Sequence, residues 1–462
     1  MAKSARVEKS ARELGAARRW IVLILVSMGS STIYAPAYLK NTFYDAQLQA
    51  LNITNVQVGQ LMSAYAWTAV AVYLFSGLIA DRMRMRTLSA TGFFLTAILT
   101  FLYAMLPSFT ILMLVFVGMG FSTILLWWGV RYKLVRLVSE EEEYSRNIGI
   151  SYGFYGVAGL LIGVIGTTVL GAFSADPARA FQVFLVVIGI LIATLGVLSL
   201  VFIPWFEGEV APAGSGASSV KAVMGDAVAA LRNPVVLLTS VTLFFVYFFY
   251  TCTSYTAPYM TALGADANVT NMVSVVRTYG ITLLAGPIFG FLTHKAGKSS
   301  LVIWIGCAVA AVTFGIVAIL PQSSGIIVTL AGLAIALGFI SNGVFGIVSG
   351  MFTEGKVPLA AFGAATGVLS VIGFLPDTFS SIWLGSFLDR AEAAGDVTTA
   401  YPTIFWILAA IAAIAAVCAL GLSAYVKANR ARLDAAYEES ERIAAEAAEL
   451  AATGSTEAVG VA

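Results

Sequence analysis

Two ionisable residues stand deep inside long apolar runs, Arg277 and Asp377. The other charged residues fall in polar loops, in the tails or at the ends of the apolar runs. A charge at the centre of a bilayer costs about 2.5–3.5 kcal/mol on insertion scales, and such residues usually serve function. Arg277 lies nine residues past Asn268, and Asp377 ten residues before Phe387. At a helical rise of ~1.5 Å per residue both stand roughly 13–15 Å from one membrane face. An arginine at that depth suits a carboxylate, because its planar guanidinium makes two parallel hydrogen bonds. An aspartate there can carry a coupling proton or neutralise a substrate amine. The plainer alternative is that the two pair with each other and lock helices together. Buried pairs bring little net stability, which favours the functional reading. Pro376, directly before Asp377, frees a backbone carbonyl and kinks a helix at the same place.

The elements that must position these residues follow from composition. Of 462 residues, 59% are hydrophobic and 11% charged, and the mean hydropathy is +0.89. Typical globular chains have about 45–50% apolar and about 25% charged residues. So much apolar surface cannot be hidden from water in a soluble fold. That excludes a soluble enzyme, a disordered chain and a disulfide scaffold. A β-barrel is disfavoured, since its strands alternate instead of staying apolar for about 20 residues. The spacing predicts twelve membrane-spanning helices, the first starting near Trp20 and the last near Thr403.

The one long break, Glu207 to Asn233, is rich in Gly, Ala, Pro and Ser and reads as a flexible linker after six spans. The expected organisation is a tail over 1–17, a six-helix bundle over 18–206, a linker over 207–233, a second bundle over 234–426 and a tail over 427–462. That last tail is expected to run as a surface helix and to fray after Thr453. Lys and Arg concentrate in alternate loops and in both tails, the exceptions being Lys40, Arg179, Arg277 and Arg390. The positive-inside rule then places both termini in the cytoplasm. Ala35-Pro36-Ala37 looks like a cleavage site, but removing the first span would break the symmetry described next, so it is expected to be retained.

The two halves repeat. Gly77-Leu-Ile-Ala-Asp81-Arg82 closes the second span, and Gly290-Phe-Leu-Thr-His294-Lys295 closes the eighth. Gly153, Gly159 and Gly171 of the fifth span fall on Gly367, Gly373 and Gly385 of the eleventh. At these offsets Arg277 aligns with Ala64 and Asp377 with Gly163. The architecture therefore does not need charge at those places, which strengthens a functional role for both. Parallel repeats of this kind form a cavity between the bundles near the midplane.

Other signals are weaker. Cys252, Cys307 and Cys418 lie in apolar runs without metal spacing and read as small buried hydrophobes. The single histidine, His294, is in a loop. No Ser/His/Asp set, metal cluster or phosphate loop is recognisable, so neither an enzyme nor a cofactor is expected. The net charge of +1 gives no hint of a nucleic-acid partner. Arg131 and Lys133 read as inside anchors, or as a second anion relay.

Together these features resemble the major facilitator superfamily. Gly77, Asp81, Arg82 and Arg86 match its signature in the loop after span two, while Arg84 stands where the family has Gly. The second copy matches at Gly290, Lys295, Gly297 and Lys298 but has His294 in place of the acid. The resemblance implies an all-α membrane fold of two six-helix pseudo-repeat bundles that move by alternating access. It implies gating by Gly77, Asp81, Arg82, Arg86, Gly290 and Lys295, with Asp81 meeting the neighbouring bundle when the inside is closed. It also implies a cavity lined by spans one, four, seven and ten, here offering Tyr34, Tyr38, Trp127, Tyr250, Tyr255 and Asn342.

The oxalate/formate antiporter branch looks similar, through a buried Arg on span eight that Arg277 resembles. That branch adds a Lys on span eleven, where this chain has Asp377. The expected function is therefore transport of a small organic anion, with Arg277 binding substrate and Asp377 coupling protons. The alternative is efflux of drugs or amphipathic solutes, disfavoured because span five lacks the Gly-Pro motif of drug/proton antiporters. A non-transporting membrane sensor is a second class. The expected partners are a small-molecule substrate, protons and the lipid bilayer. The expected state is a monomer in the plasma (inner) membrane.

Overall fold

The structure is a computed structural model and describes residues 13–140, 143–206, 209–210 and 220–453. Twelve of its helices are long and apolar enough to cross a membrane. They are α1 (Ala16–Tyr34), α2 (Asn55–Arg82), α3 (Met85–Ala104), α4 (Phe109–Leu137), α5 (Arg146–Ala172) and α6 (Pro177–Phe202), then α7 (Pro234–Ala262), α8 (Ala267–Ala296), α9 (Ser299–Ile319), α10 (Ser324–Ile347), α11 (Ala361–Ala393) and α12 (Val397–Ala428). Helices prevail because a bilayer core offers no water to backbone N–H and C=O groups. Large apolar side chains remain exposed along them, Leu114, Val312 and Val417 among them. A lipid-facing surface requires that.

Helix packing repeats the internal symmetry. In the first half α1 lies on α5, α2 on α4 and α3 on α6. In the second half α7 lies on α11, α8 on α10 and α9 on α12. The result is two six-helix bundles. Two seams join them, α2 against α11 and α5 against α8. Glycine makes the second seam close: a Cβ on Gly159 would overlap the Tyr279 ring, and one on Gly163 would overlap Val275. Helix backbones in a membrane approach this tightly only over small residues. Gly163 is also the repeat mate of Asp377, so the first half uses for packing the position where the second half carries charge.

With an even number of spans both ends of the chain lie on one side, here termed the terminus face. The expected flexible linker contains a helix there, Val220–Leu231, laid against α2 and α11. Its opening is also pinned. Glu209, fully buried, accepts from Arg84 Nη1 at 2.9 Å and from the Met85 backbone N–H at 3.1 Å. Arg84, the departure from the family signature, therefore holds the linker to the α2–α3 turn, with its guanidinium over the Trp205 ring. The C-terminal tail is helical over Arg430–Thr453, and the fraying expected past Thr453 lies outside the described residues.

Four spans break regularity near mid-length. α4 has a π-helical stretch at Phe121–Trp128, and α8 has one at Val276–Gly280. α7 tightens to a 3₁₀ turn at Thr253–Tyr255, and α11 does so at Leu375–Thr378. Interruptions of this type are frequent at functional sites, and they surround the two buried charges.

Candidate functional site

The α11 break follows from Pro376, which lacks the N–H that would continue the helix. α-Helix stops at Gly373 and restarts at Ser380. The carbonyl of Thr378 within the break accepts from Ser63 Oγ on α2 at 2.6 Å, so the opposite bundle satisfies a group that the kink exposes. The same turn presents Asp377. Its carboxylate accepts from Tyr247 Oη at 2.7 Å, from Tyr38 Oη at 3.2 Å and from Thr251 Oγ1 at 3.3 Å. Tyr247 and Thr251 belong to α7, while Tyr38 comes from the other bundle, just past α1.

Arg277 sits on the π-helical turn of α8, only 2% exposed. Its Nη1 donates to Thr253 Oγ1 and its Nη2 to Thr278 Oγ1, both at 3.3 Å. Nη2 also donates to the backbone carbonyl of Asn41, across the bundle interface. Nε is buried with no partner. Gly338 on α10 makes room for this side chain, since a Cβ there would stand 2.6 Å from Arg277 Cγ. Asn342, one turn further along α10, donates from Nδ2 to the carbonyl of Gly338 at 2.8 Å and to that of Arg277 at 3.4 Å. Its Oδ1 accepts from Thr282. Asn342 thus braces the turn that carries the arginine.

Arg277 and Asp377 do not pair. Among the described residues no ion pair within 4.0 Å includes either. The cation linked to the Asp377 carboxylate is instead Lys40, through Thr251. Lys40 is 3% exposed, and its Nζ donates to Thr251 Oγ1 at 3.4 Å, the hydroxyl that in turn donates to Asp377. Past α1 the chain does not leave the protein. It folds back through a 3₁₀ turn, Leu39–Asn41, and a short helix, Tyr44–Leu51, which bury this segment.

The aromatic candidates separate into groups. Tyr38 meets Tyr65 edge-on at 5.3 Å, and Tyr250 stacks on Phe345 at 4.8 Å and on Tyr247 at 5.8 Å. These line the region around the charges. Tyr34 is half-buried and donates to the Thr123 carbonyl. Trp127 is not among them: it is fully buried in the first bundle, against Phe93 at 4.3 Å, with its indole N–H on Ser30. Its neighbour Trp128 crosses the interface instead and, with Tyr73, meets Phe374 of α11 at 6.2 and 5.4 Å. These three rings shield the site from the terminus face. Tyr255 belongs to the opposite closure, beside Tyr44 at 5.9 Å and bonded to the Ser381 carbonyl.

The face opposite the termini is latched by carboxylates. Asp389, near the end of α11, accepts from Asn55 N at 2.9 Å, Asn55 Nδ2 at 2.8 Å and Val56 N at 3.0 Å. The two backbone N–H groups belong to the first turn of α2, where they have no partner within the helix and the helix dipole favours an anion. Asp45 accepts from Thr261 Oγ1 at 2.7 Å, again between bundles. Burial raises the Asp45 carboxyl above its ordinary range, and the Thr261 hydroxyl opposes that in part.

The signature loops on the terminus face are arranged otherwise. Asp81 pairs with Lys133 of its own bundle at 2.7 Å, not with the neighbouring bundle. Lys133 also donates to the Ala80 carbonyl. Gly77 and Gly290 face open space, Arg82 and Lys295 are exposed, and Arg86 is half-buried. Arg131 is 6% exposed, ringed by Tyr132, Tyr152 and Tyr155 at 4.6–5.5 Å, with Nη2 unpartnered. It is no surface anchor.

Comparison with known proteins agrees with this arrangement. The chain is 24% identical over 380 residues to the inner membrane protein YqcE of Escherichia coli (strain K12), covering 82% of this chain and 89% of that protein. Its fold is similar to that of the nucleoside transporter NupG, with TM-score 0.66 and 17% identity over 88% of this chain and 98% of that one. It is also similar to a bacterial homolog of the human lysosomal transporter Spinster in an inward-facing, unoccupied conformation, with TM-score 0.67 and 14% identity over 88% and 99%. Residues 20–381 match the Major Facilitator Superfamily. The chain belongs to that superfamily and is a multi-pass secondary transporter, not an enzyme.

Proposed function

We propose that this transporter carries a small organic anion of the carboxylate type, driven by protons through Asp377. The observation that carries the reading is the state of Arg277: fully buried, not neutralised by Asp377, and with Nε unpartnered. A buried donor without a partner costs about 1–3 kcal/mol, and a carboxylate arriving at the guanidinium removes that cost. Lys40 and Arg131 add two more buried cations; of the two buried carboxylates among the described residues Glu209 is taken by Arg84, which leaves Asp377 against three cations. That balance favours an anionic cargo.

Coupling follows from the hydrogen bonds of Asp377. Its carboxylate only accepts, from three hydroxyls. Protonation turns one of its oxygens into a donor, so the hydroxyl facing that proton must accept from it or turn away. Tyr38 makes the longest of the two bonds to Oδ2 and is the partner from the other bundle. Its release loosens the bundles at the site and links the proton to alternating access. The terminus face is taken as cytoplasmic, from the Lys and Arg distribution, and the chain as a monomer; the similarity to YqcE, an inner membrane protein, supports placing it in the inner membrane.

A second reading takes a neutral solute with a flat ring, favoured by the rings of Tyr38, Tyr65, Tyr247, Tyr250, Phe345 and Phe374 and by the nucleoside transporter among the similar folds. Thermal-shift screening of purified wild type and Arg277→Ala separates the two. Carboxylates that stabilise wild type alone support the anion. Nucleosides that stabilise both proteins equally refute it.

A further inference from the structure

Away from the central site, the terminus face of the second bundle holds an open cavity of about 660 Å³. The ends of α8 and α12, the start of α9, the short helix Gly350–Glu354 and the start of the tail helix enclose it. Five of its lining side chains are basic or imidazole: His294, Lys298, Lys356, Lys427 and Arg430. One lining acid, Glu354, is already used, accepting from Ser300 N at 2.8 Å and Ser300 Oγ at 2.6 Å. Arg430 and Lys356 share Asp434 at 3.0 and 3.8 Å. Among the described residues, Lys298 and Lys427 have no carboxylate within 4.0 Å.

The internal repeat shows what is unusual here. In the first copy of the signature the acid is Asp81, and it holds a lysine, Lys133. The second copy has His294 at that place, lining the cavity instead of neutralising it. An imidazole donates at least one hydrogen bond in either tautomer. The exchange therefore removes the acid expected of this loop and leaves clustered donors around an open space. Just before His294, α8 also exposes two large apolar side chains, Phe291 and Leu292.

We propose that this cavity binds a phosphate-bearing anion. Lysine ammoniums bind phosphate as point charges, and basic pockets between spans at a cytoplasmic surface suit anionic headgroups. The phosphate belongs either to a membrane lipid or to a soluble phosphorylated compound. The site is separate from Arg277 and does not depend on what the transporter carries.

The test uses the purified full-length protein and two variants, His294→Asp and the double variant Lys298→Gln/Lys427→Gln. Native mass spectrometry with phosphatidylglycerol, against phosphatidylcholine as control, probes the lipid source. Thermal shift with pyrophosphate probes the soluble source. The three altered side chains are exposed, so melting without ligand should match wild type, and either variant alone decides if the other fails to fold. The expected result is that at least one phosphate probe binds wild type and weakens by about fivefold for each lysine removed. Restoring the acid through His294→Asp should weaken the same probe. Phosphatidylglycerol alone responding assigns the lipid, and pyrophosphate alone assigns the soluble source. The proposal is overturned if phosphatidylglycerol binds no better than phosphatidylcholine and pyrophosphate gives no shift, or if the variants bind as wild type does.

Discussion

The hydroxyl of Tyr38, in the first bundle, donates to the carboxylate of Asp377, in the second, at 3.2 Å. The bond joins the halves of the transporter at its buried acid. Asp377 keeps Tyr247 and Thr251 from its own bundle whatever the other half does. Tyr38→Phe therefore removes the link between bundles and leaves the rest of the acid's surroundings in place. A hydrogen bond to a charged group is worth about 1.5–3 kcal/mol, so proton-driven uptake should fall at least about tenfold. Substrate binding in detergent, measured by thermal shift, should change little. Unaltered coupling in this variant would remove Tyr38 from the mechanism.

Gly338 leaves the space that Arg277 fills. A methyl group there would stand 2.6 Å from Arg277 Cγ and 2.7 Å from its carbonyl oxygen. Overpacking of this sort costs about 1–3 kcal/mol. Gly338→Ala should lower the melting temperature by a few degrees and reduce substrate affinity by more than about tenfold, since it displaces the guanidinium. Gly332→Ala on the same helix meets nothing within 4 Å and is the control. Equal behaviour of the two variants would contradict the placement.

Asp389 caps the start of α2 from the opposite bundle. Asp389→Asn removes the charge that the helix terminus favours and one of the acceptors, at a cost of about 0.3–2 kcal/mol. The face opposite the termini should then open more often. A single cysteine introduced at Ser381, buried beneath that latch, should react faster with a membrane-impermeant maleimide in the Asp389→Asn background. An unchanged rate would mean that the latch does not hold the face closed.

Asp45 makes the same closure depend on pH. Burial in the closed face raises its carboxyl above the ordinary range, so closing favours the protonated form. Its contribution to closure is fully present at low pH and is lost as pH rises through that raised value. Distance measurements between spin labels on the short helix Tyr44–Leu51 and on α12 should show a larger open population at higher pH. Asp45→Asn should abolish that trend, holding the face closed across the range. The same pH trend in the variant would assign it to another group.

Much of this was legible in the sequence, and the exceptions have physical causes. Span lengths and the repeat are written in hydropathy, which the bilayer enforces. Arg277 and Asp377 stood out because a charge within an apolar run is rare. Pro376 announced the break in α11 that presents Asp377. Lys40 was missed because it follows the apolar run and reads as a loop cation; its burial depends on the chain folding back through Leu39–Asn41. Trp127 and Trp128 are adjacent, and which one crosses to Phe374 depends on the phase of a helix whose π-helical stretch, Phe121–Trp128, shifts the usual periodicity. Arg131 read as an anchor because its three-ring cage draws on α5 as well as α4. The role of Arg84 is not legible in the signature because its partner, Glu209, lies 125 residues away.

The central claim is that Arg277 binds an anion whose movement is tied to protonation of Asp377. Uptake into proteoliposomes under an imposed pH gradient tests it most directly, using the anion identified by thermal-shift screening. Wild type should concentrate that anion in response to the gradient. Arg277→Ala should abolish uptake and exchange alike, whereas Asp377→Asn should lose the response to the gradient and retain exchange. Full uptake by Arg277→Ala, or an undiminished gradient response in Asp377→Asn, would contradict the account.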